Sequence, residues 1–327
     1  MNQPPTLTII VPVYNEEGGL AELYARVSAV MLGAGVDYEL LLVNDGSSDR
    51  SLERMLDLHA RDPRVSILDL SRNYGHQLAI TAGLDYARGQ AVAVMDADLQ
   101  DPPEVLLLML DRWREGFDVV YGVRHRRAAE SAFKLGTAWV FYRAVRLLTS
   151  IDLPVDTGDF RLLSRRAVVA MRQLREQNRF VRGMVRWIGF RQTGVLYERQ
   201  ARFEGHTKYP LIRMVRLAAD AVLSFSIVPL RLAIVSGMVF AAACMSYALY
   251  AVYLKFTYGQ VVPGWASLMV AILFVGAVQL VCLGILGEYV GRIYDEVRGR
   301  PLYLVGDVKQ AGAGLTGDAS EPENTGR

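Results

Sequence analysis

The stretch AVAVMDADLQDPPE, residues 91–104, runs five apolar positions directly into three acids, Asp96, Asp98 and Asp101. A short apolar run bounded by acids and prolines reads as a buried strand ending near Asp96. Like charges at this spacing repel, so the arrangement costs free energy unless a cation joins them or water screens them. Asp101, followed by Pro102, Pro103 and Glu104, suits a helix start, where an acid caps and proline fills the first turn. That leaves Asp96 and Asp98, whose Asp-Ala-Asp alternation suits two carboxylate arms around one hard cation at the C-terminal end of a strand.

Working outward, the first 125 residues alternate strand-like runs with amphipathic ones. TLTIIVPV, YELLLVND, VSILDL, AVAVMD and DVVYGVR are the strands, and helices are expected near 19–32, 51–60, 77–87 and 103–115. This alternation predicts an α/β fold, a Rossmann-like mostly parallel sheet with helices on both faces. Functional loops then belong at the strand C-termini. Tyr14, Asn15 and Glu16 fall there, as do Asp45, the segment from Arg72 to His76, and the pair Asp96 and Asp98.

The 327-residue chain is 52% hydrophobic, and the excess is local. Between Arg231 and Lys255 lie 23 residues without a charge, and between Lys255 and Glu288 lie 32 more. At a rise of about 1.5 Å per residue, either run exceeds the roughly 30 Å of hydrocarbon in a bilayer. With Gly, Pro, Tyr258 and Trp265 at the connection, the pair reads as a transmembrane hairpin of two helices, about 232–254 and 265–287. Arg213, Arg216 and Arg231 precede it and Arg292, Arg298 and Arg300 follow it, which predicts both termini in the cytoplasm.

FKLGTAWVFYRAVRLL (133–148) and LIRMVRLAADAVLSF (211–225) suit helices lying in the headgroup layer. The expected organisation is a catalytic domain over 1–210, an interfacial helix over 211–230, the hairpin over 231–290 and a C-terminal segment over 291–327, structureless from about Gly306. The N-terminus lacks a basic leader, so no signal peptide is expected. Cys244 and Cys282 both fall in the proposed spans, which supports neither a disulfide framework nor a zinc site. Of 36 basic residues 32 are arginine, the side chain suited to gripping phosphate with a planar fork, although genome base composition produces the same bias.

VPVYNEE, VNDGSSD, SRNYGHQLAITAGLDYARG and MDADLQDPPE together resemble the family 2 glycosyltransferases of the GT-A fold. TGDFRLLSRRAV and RFEGHTKYPL followed by a hairpin are similar to the polyprenyl-phosphate branch, which includes dolichyl-phosphate mannose synthases and bactoprenol glucosyltransferases. The resemblance covers about residues 6–300. It implies inverting transfer of one sugar from a nucleotide sugar, UDP-glucose by likeness, to undecaprenyl phosphate at the cytoplasmic face of a bacterial inner membrane. It implies no nucleic-acid partner, and leaves self-association of the hairpin open.

By the same resemblance Pro12, Tyr14, Glu16, Asp45 and Gly75 hold the nucleotide, and Asp96, Ala97 and Asp98 meet the sugar nucleotide. Asp96, Asp98 and Gln100 are the implied ligands of Mg²⁺ or Mn²⁺, an oxygen-only set suited to a hard cation. Arg124 and Lys134 match positions that grip the acceptor phosphate, and Arg202 and Lys208 match those that steady the donor diphosphate. Asp159 sits where such enzymes place a carboxylate facing acceptor and sugar, as base or as positioning group. A phosphate monoester, with a second pKa near 6, is already largely dianionic at neutral pH and has little need of a base.

Two rival readings share some of these features. A processive polysaccharide synthase ordinarily carries Gln-x-x-Arg-Trp, whereas GMVRW (183–187) has Gly183 at the glutamine position. A catalytically silent sensor or membrane scaffold would not require intact acids and phosphate-gripping residues.

Overall fold

The computed structural model describes residues 4–124, 157–199, 228–258 and 264–311. They divide into two units, each with its own core or helix pair.

In the first unit, β1 (Leu7–Val13), β2 (Tyr38–Asn44), β3 (Val65–Leu70) and β4 (Ala91–Val94) pair in parallel in the order β3-β2-β1-β4. They are connected through α1 (Leu20–Gly33), α2 (Ser51–Arg61) and α3 (His76–Tyr86). Every residue of β1, β2 and β4 is buried, which is why these runs read as nearly continuous apolar stretches rather than alternating ones. Leu7, Ile9, Val11 and Val13 share one core with Leu23 and Val27 of α1, Met55 of α2 and Met109 of α4 (Val105–Arg114). The two-residue period of a strand sends Ile10 to the opposite face, against Gly83 of α3.

The flanks differ from expectation. β4 pairs antiparallel with β6 (Thr157–Ser164), β6 pairs antiparallel with β5 (Val119–Arg124), and β5 pairs parallel with β7 (Gln192–Tyr197). At the other edge β8 (Val305–Lys309) runs antiparallel to β3, giving the order β7-β5-β6-β4-β1-β2-β3-β8. The sheet is therefore mixed, with a parallel centre and antiparallel pairings on both sides. Strand direction at the flanks depends on where distant segments return, and local periodicity carries no such signal.

Ser164 caps α5 (Arg165–Gln173), its Oγ accepting the Ala167 N–H at 3.2 Å, and α6 (Val181–Trp187) follows. Residues 306–309, expected to be structureless, belong to β8. The segment is further fastened where Ser71 N–H donates to Leu304 O (3.0 Å), Tyr303 O–H to Asp85 (2.7 Å) and Ala311 N–H to Ser66 Oγ (2.8 Å).

The second unit contains α7 (Val228–Tyr258) and α8 (Trp265–Val297), which touch where the Phe240 and Phe274 rings lie 5.1 Å apart. Large apolar side chains are exposed at adjacent positions, Met238 with Val239 and Leu280 with Val281, so neither helix reserves one polar face. Among the described residues, Phe274–Val297 is long and apolar enough to cross a membrane, and Ala233–Tyr247 is apolar but shorter. The expected interfacial helices at 133–148 and 211–225 lie outside the described residues.

Gly83 offers a test of the packing that positions α3. A Cβ there would stand 2.3 Å from Ile10 Cγ2, a fully buried side chain of β1. Overpacking costs about 1–3 kcal/mol, whereas replacing a helical glycine by alanine gains at most about 1 kcal/mol. Gly83→Ala is therefore expected to lower stability by about 1–2 kcal/mol in urea or thermal unfolding. A stabilised variant would show that Ile10 gives way.

Candidate active site

The C-terminal ends of β1 to β4 form one edge, and their loops are knitted together before any ligand is considered. Asn15, at φ 55°, accepts the Ser48 N–H on its side-chain oxygen (2.8 Å), while its own N–H donates to Ser47 Oγ (3.1 Å). Glu16 N–H donates to Ser51 Oγ (2.9 Å) and Glu17 N–H to Asp49 (3.2 Å), so YNEE and NDGSSD form one clamp. Tyr14 remains half exposed beside it, and Pro12 is buried opposite Val43 of β2.

Asp45 ties the second loop to the third. One carboxylate oxygen accepts the Tyr74 N–H (2.7 Å) and the other the Gly75 N–H (2.9 Å), and the residue is buried. Burial raises its pKa, with both amides opposing. Gly46 packs on the same loop so closely that a Cβ would lie 2.4 Å from the Asn73 nitrogen. Gly75 has φ 95°, a conformation open to glycine, and it launches α3 with His76 as the first residue.

The fourth loop holds the acids. Ala97 is buried, Asp98 accepts the Gln100 N–H at 3.2 Å, and Leu99 between them sits at φ 56°. A bulky residue in that region signals backbone strain, and strain of this kind concentrates at functional sites. Burial, then the charges of Asp101, Asp159 and Asp98, raise the pKa of Asp96 to about 6, with His76 pulling the other way.

Asp101 departs from the expected role. No side chain caps α4; Asp101 is buried and accepts the Tyr197 hydroxyl at 2.5 Å, and among the described residues its second oxygen has no hydrogen-bond partner. The same Tyr197 oxygen accepts from Arg124 Nε (3.3 Å), linking β5, β7 and the fourth loop.

Asp159, on β6, is the centre of the charged network. Arg182 of α6 grips it with a fork, Nε to one oxygen at 2.8 Å and Nη2 to the other at 3.0 Å. Gln77 Nε2 donates to it at 3.3 Å, His76 Nε2 lies 3.4 Å away, and Arg161 lies 3.7 Å away. The same His76 nitrogen is 3.6 Å from Asp96 Oδ1, so one imidazole spans the β4 loop and β6. Burial alone would raise the Asp159 pKa. The hydrogen bonds from His76 and Arg182 and the Arg161 charge outweigh it and hold the carboxyl well below the usual carboxylate range. Burial pulls Arg161 down to about 10.

The structure thus brings Asp96, Asp159 and the loop of Asp98 to one edge through His76, and joins Arg124 to Asp101 through Tyr197. Lys134, Arg202 and Lys208 lie outside the described residues. His76 closes the segment 72–76 that sequence reasoning placed at a strand end, whereas Gln77, Arg161, Arg182 and Tyr197 were assigned no role by it. Apart from Arg161, which stands two residues from Asp159, their partners are distant in the chain and no motif spacing marks them.

Among the described residues no three His, Cys, Asp or Glu converge as a self-sufficient metal cage. Asp96, Asp98 and Gln100 nevertheless fit a hard divalent cation as an open site completed by substrate oxygens. Burying Asp96 among other acids is a cost that such a cation would relieve.

Residues 8–171 match glycosyl transferase family 2, and residues 228–293 match the GtrB C-terminal hairpin. The chain belongs to glycosyl transferase family 2. This glycosyltransferase is 50% identical to the uncharacterized glycosyltransferase YkcC of Bacillus subtilis over 91% of this chain and 92% of that one. It is 35% identical to the prophage bactoprenol glucosyl transferase homolog of Escherichia coli, over 93% and 99%. Glucosyl-3-phosphoglycerate synthase from Mycobacterium tuberculosis, crystallised with Mn²⁺, UDP-glucose and phosphoglyceric acid, aligns over 67% of this chain and 78% of that one. Its identity is 16% and its TM-score 0.45, a likeness too low to carry anything about ligands.

Asp159→Asn removes the charge that two arginines share, one of them buried. Breaking a buried pair costs about 3–5 kcal/mol, and partial exposure of Arg182 places the expected loss near the lower end, about 3 kcal/mol. Because the folded pKa is depressed, this stability is fully present above the unfolded value of about 3.9 and is lost as pH falls through the folded value. Thermal unfolding should therefore show a gap between wild type and Asp159→Asn that is widest near about pH 5, narrows as pH rises through neutrality because Asp159 raises the pKa of His76 and that stabilisation is lost with the imidazole proton, and closes below about pH 4. A gap that persists undiminished well below about pH 4 would contradict this assignment.

Proposed function

We propose that the protein transfers a single sugar from a nucleotide sugar, UDP-glucose in the first instance, to the phosphate of undecaprenyl phosphate. The observation that carries the reading is the combination in one chain of an acid-rich loop edge with a helix pair that is apolar on adjacent faces. Relatives named bactoprenol glucosyl transferase supply the classes of sugar and acceptor. The catalytic domain comprises residues 1–210, the segment 211–230 lies at the interface, and the hairpin over 231–290 crosses the membrane twice. Both termini and the segment 291–327 face the cytoplasm, where nucleotide sugars are found.

In this reading Pro12, Tyr14 and Glu16 line the nucleotide, and Asp45 and Gly75 hold its loops in register. Arg202 and Lys208 hold the diphosphate, and Arg124 and Lys134 hold the acceptor phosphate. Asp96, Asp98 and Gln100 hold Mg²⁺ or Mn²⁺, which when bound offsets the charge developing on the leaving diphosphate. A lipid phosphate oxygen attacks the anomeric carbon as the bond to the diphosphate oxygen breaks on the opposite side, so the configuration inverts. No proton need be removed, since the acceptor is already dianionic. Asp159, kept ionised by its partners, acts through position and charge.

Asp98→Asn keeps shape and removes charge, and should lower transfer to undecaprenyl phosphate by about two orders of magnitude, about 2.7 kcal/mol. EDTA should abolish wild-type transfer, and added Mg²⁺ or Mn²⁺ should restore it. Chromatography of the lipid product should show one sugar. Polymer, or undiminished EDTA-resistant transfer by Asp98→Asn, would reject the proposal.

A further inference from the structure

The charged groups around Gly158–Asp159 are arranged in an order that the proposed reaction does not by itself require. Asp159 is the residue expected to face the substrate, yet only 6% of its side chain is exposed, against 37% for Arg182 and 44% for His76. A carboxylate has about four acceptor sites. Those of Asp159 are approached by Arg182 twice, by Gln77, by His76 and, more distantly, by Arg161. The carboxylate is thus enclosed by donors, and the cations stand between it and solvent.

Arg182 is held there from two sides. Gln77 uses its amide nitrogen on Asp159 and its oxygen to accept the Val181 N–H at 3.0 Å, fixing the first turn of α6 to the start of α3. The guanidinium therefore has both its anchor and its backbone located by the residue after His76.

A second arginine converges on the same dipeptide. Arg124 Nη2 lies 2.7 Å from where a Cβ on Gly158 would stand, and Arg161 donates to Gly158 O at 2.8 Å. Arg124 and Arg182 lie close enough for Arg182 to disfavour the Arg124 charge. Two part-exposed cations drawn together against repulsion are the complement of a multiply charged anion, and a guanidinium edge is suited to phosphate oxygens.

We infer that Arg182 is a second phosphate-holding arginine paired with Arg124, and that Asp159 is the positioning carboxylate behind it. The inference rests on the proposed phosphate acceptor and phosphate-bearing donor. The anion is a phosphate oxygen, supplied by the lipid monophosphate or by the donor diphosphate.

The test uses full-length protein in detergent with Arg182→Gln, which removes the charge, and Arg182→Lys, which keeps charge and loses the fork. Four quantities are measured: thermal stability, affinity for UDP with Mg²⁺ by calorimetry, and the KM and the kcat for undecaprenyl phosphate. If the lipid supplies the anion, Arg182→Gln raises the lipid KM at least about tenfold, Arg182→Lys recovers part of it, and UDP affinity stays within about twofold. If the donor supplies it, UDP affinity falls by about tenfold and the lipid KM holds.

Both constants unchanged, with only kcat or thermal stability reduced, would overturn the inference and leave Arg182 as a structural partner of Asp159. Should Arg182→Gln fail to fold, Arg182→Lys decides by the same constants. Should wild type transfer nothing to undecaprenyl phosphate, the parent reading fails and calorimetry with UDP and with inorganic phosphate decides. An approximately tenfold loss of either affinity in Arg182→Gln, partly recovered in Arg182→Lys, upholds the phosphate contact, and no loss overturns it.

Discussion

Four carboxylates, Asp96, Asp98, Asp101 and Asp159, are carried to one edge of the sheet, and their mutual repulsion is the constraint that their neighbours answer. Asp159 is answered by arginines and His76, Asp101 by the Tyr197 hydroxyl with Arg124 behind it, and Asp96 in part by His76. What these partners leave uncompensated, the raised pKa of Asp96 and the unpartnered oxygen of Asp101, is what a divalent cation or a cationic neighbour would relieve.

This compensation of charge requires a rigid frame, because a displacement of about 1 Å at this edge would loosen the forked contacts on which it depends. The frame comes from loops bonded to each other more than to themselves. Asn15 and Glu17 fasten the first loop to the second, Asp45 fastens the second to the third, and Gly46 is spaced for backbone contact alone. β8 continues the same fastening from the far end of the chain, with Leu304 holding Ser71 at the entrance to the third loop.

The helix pair obeys a different solvent. In the sheet domain most large apolar side chains are buried, with isolated exceptions such as Trp187 and Leu196, whereas in α7 and α8 they are exposed at 60–71% at adjacent positions. Apolar surface of that extent is stable only against something apolar. A chain holding both environments suits chemistry that joins a water-soluble donor to a lipid acceptor.

The parallel centre of the fold and the strand-end location of the loops were legible in the sequence, because period and apolar run length are local properties. So was the placing of Asp45, Gly75, Asp96 and Asp98 in those loops, because each follows directly on a strand run or opens the next helix. Three things depended on tertiary structure. The direction of β6 and the pairing of β8 with β3 are set by returns from far along the chain. Asp101 reads locally as a helix cap but meets Tyr197, 96 residues away, and so becomes a buried hydrogen-bond acceptor. The surroundings of Asp159 are the clearest case: Gln77 and Arg182 lie 82 and 23 residues from it, and no spacing rule connects them. Sequence determined that a carboxylate stands there. Only the fold, by bringing α3 and α6 against β6, decided that it faces arginine rather than solvent, since charge compensation acts through space and not along the chain.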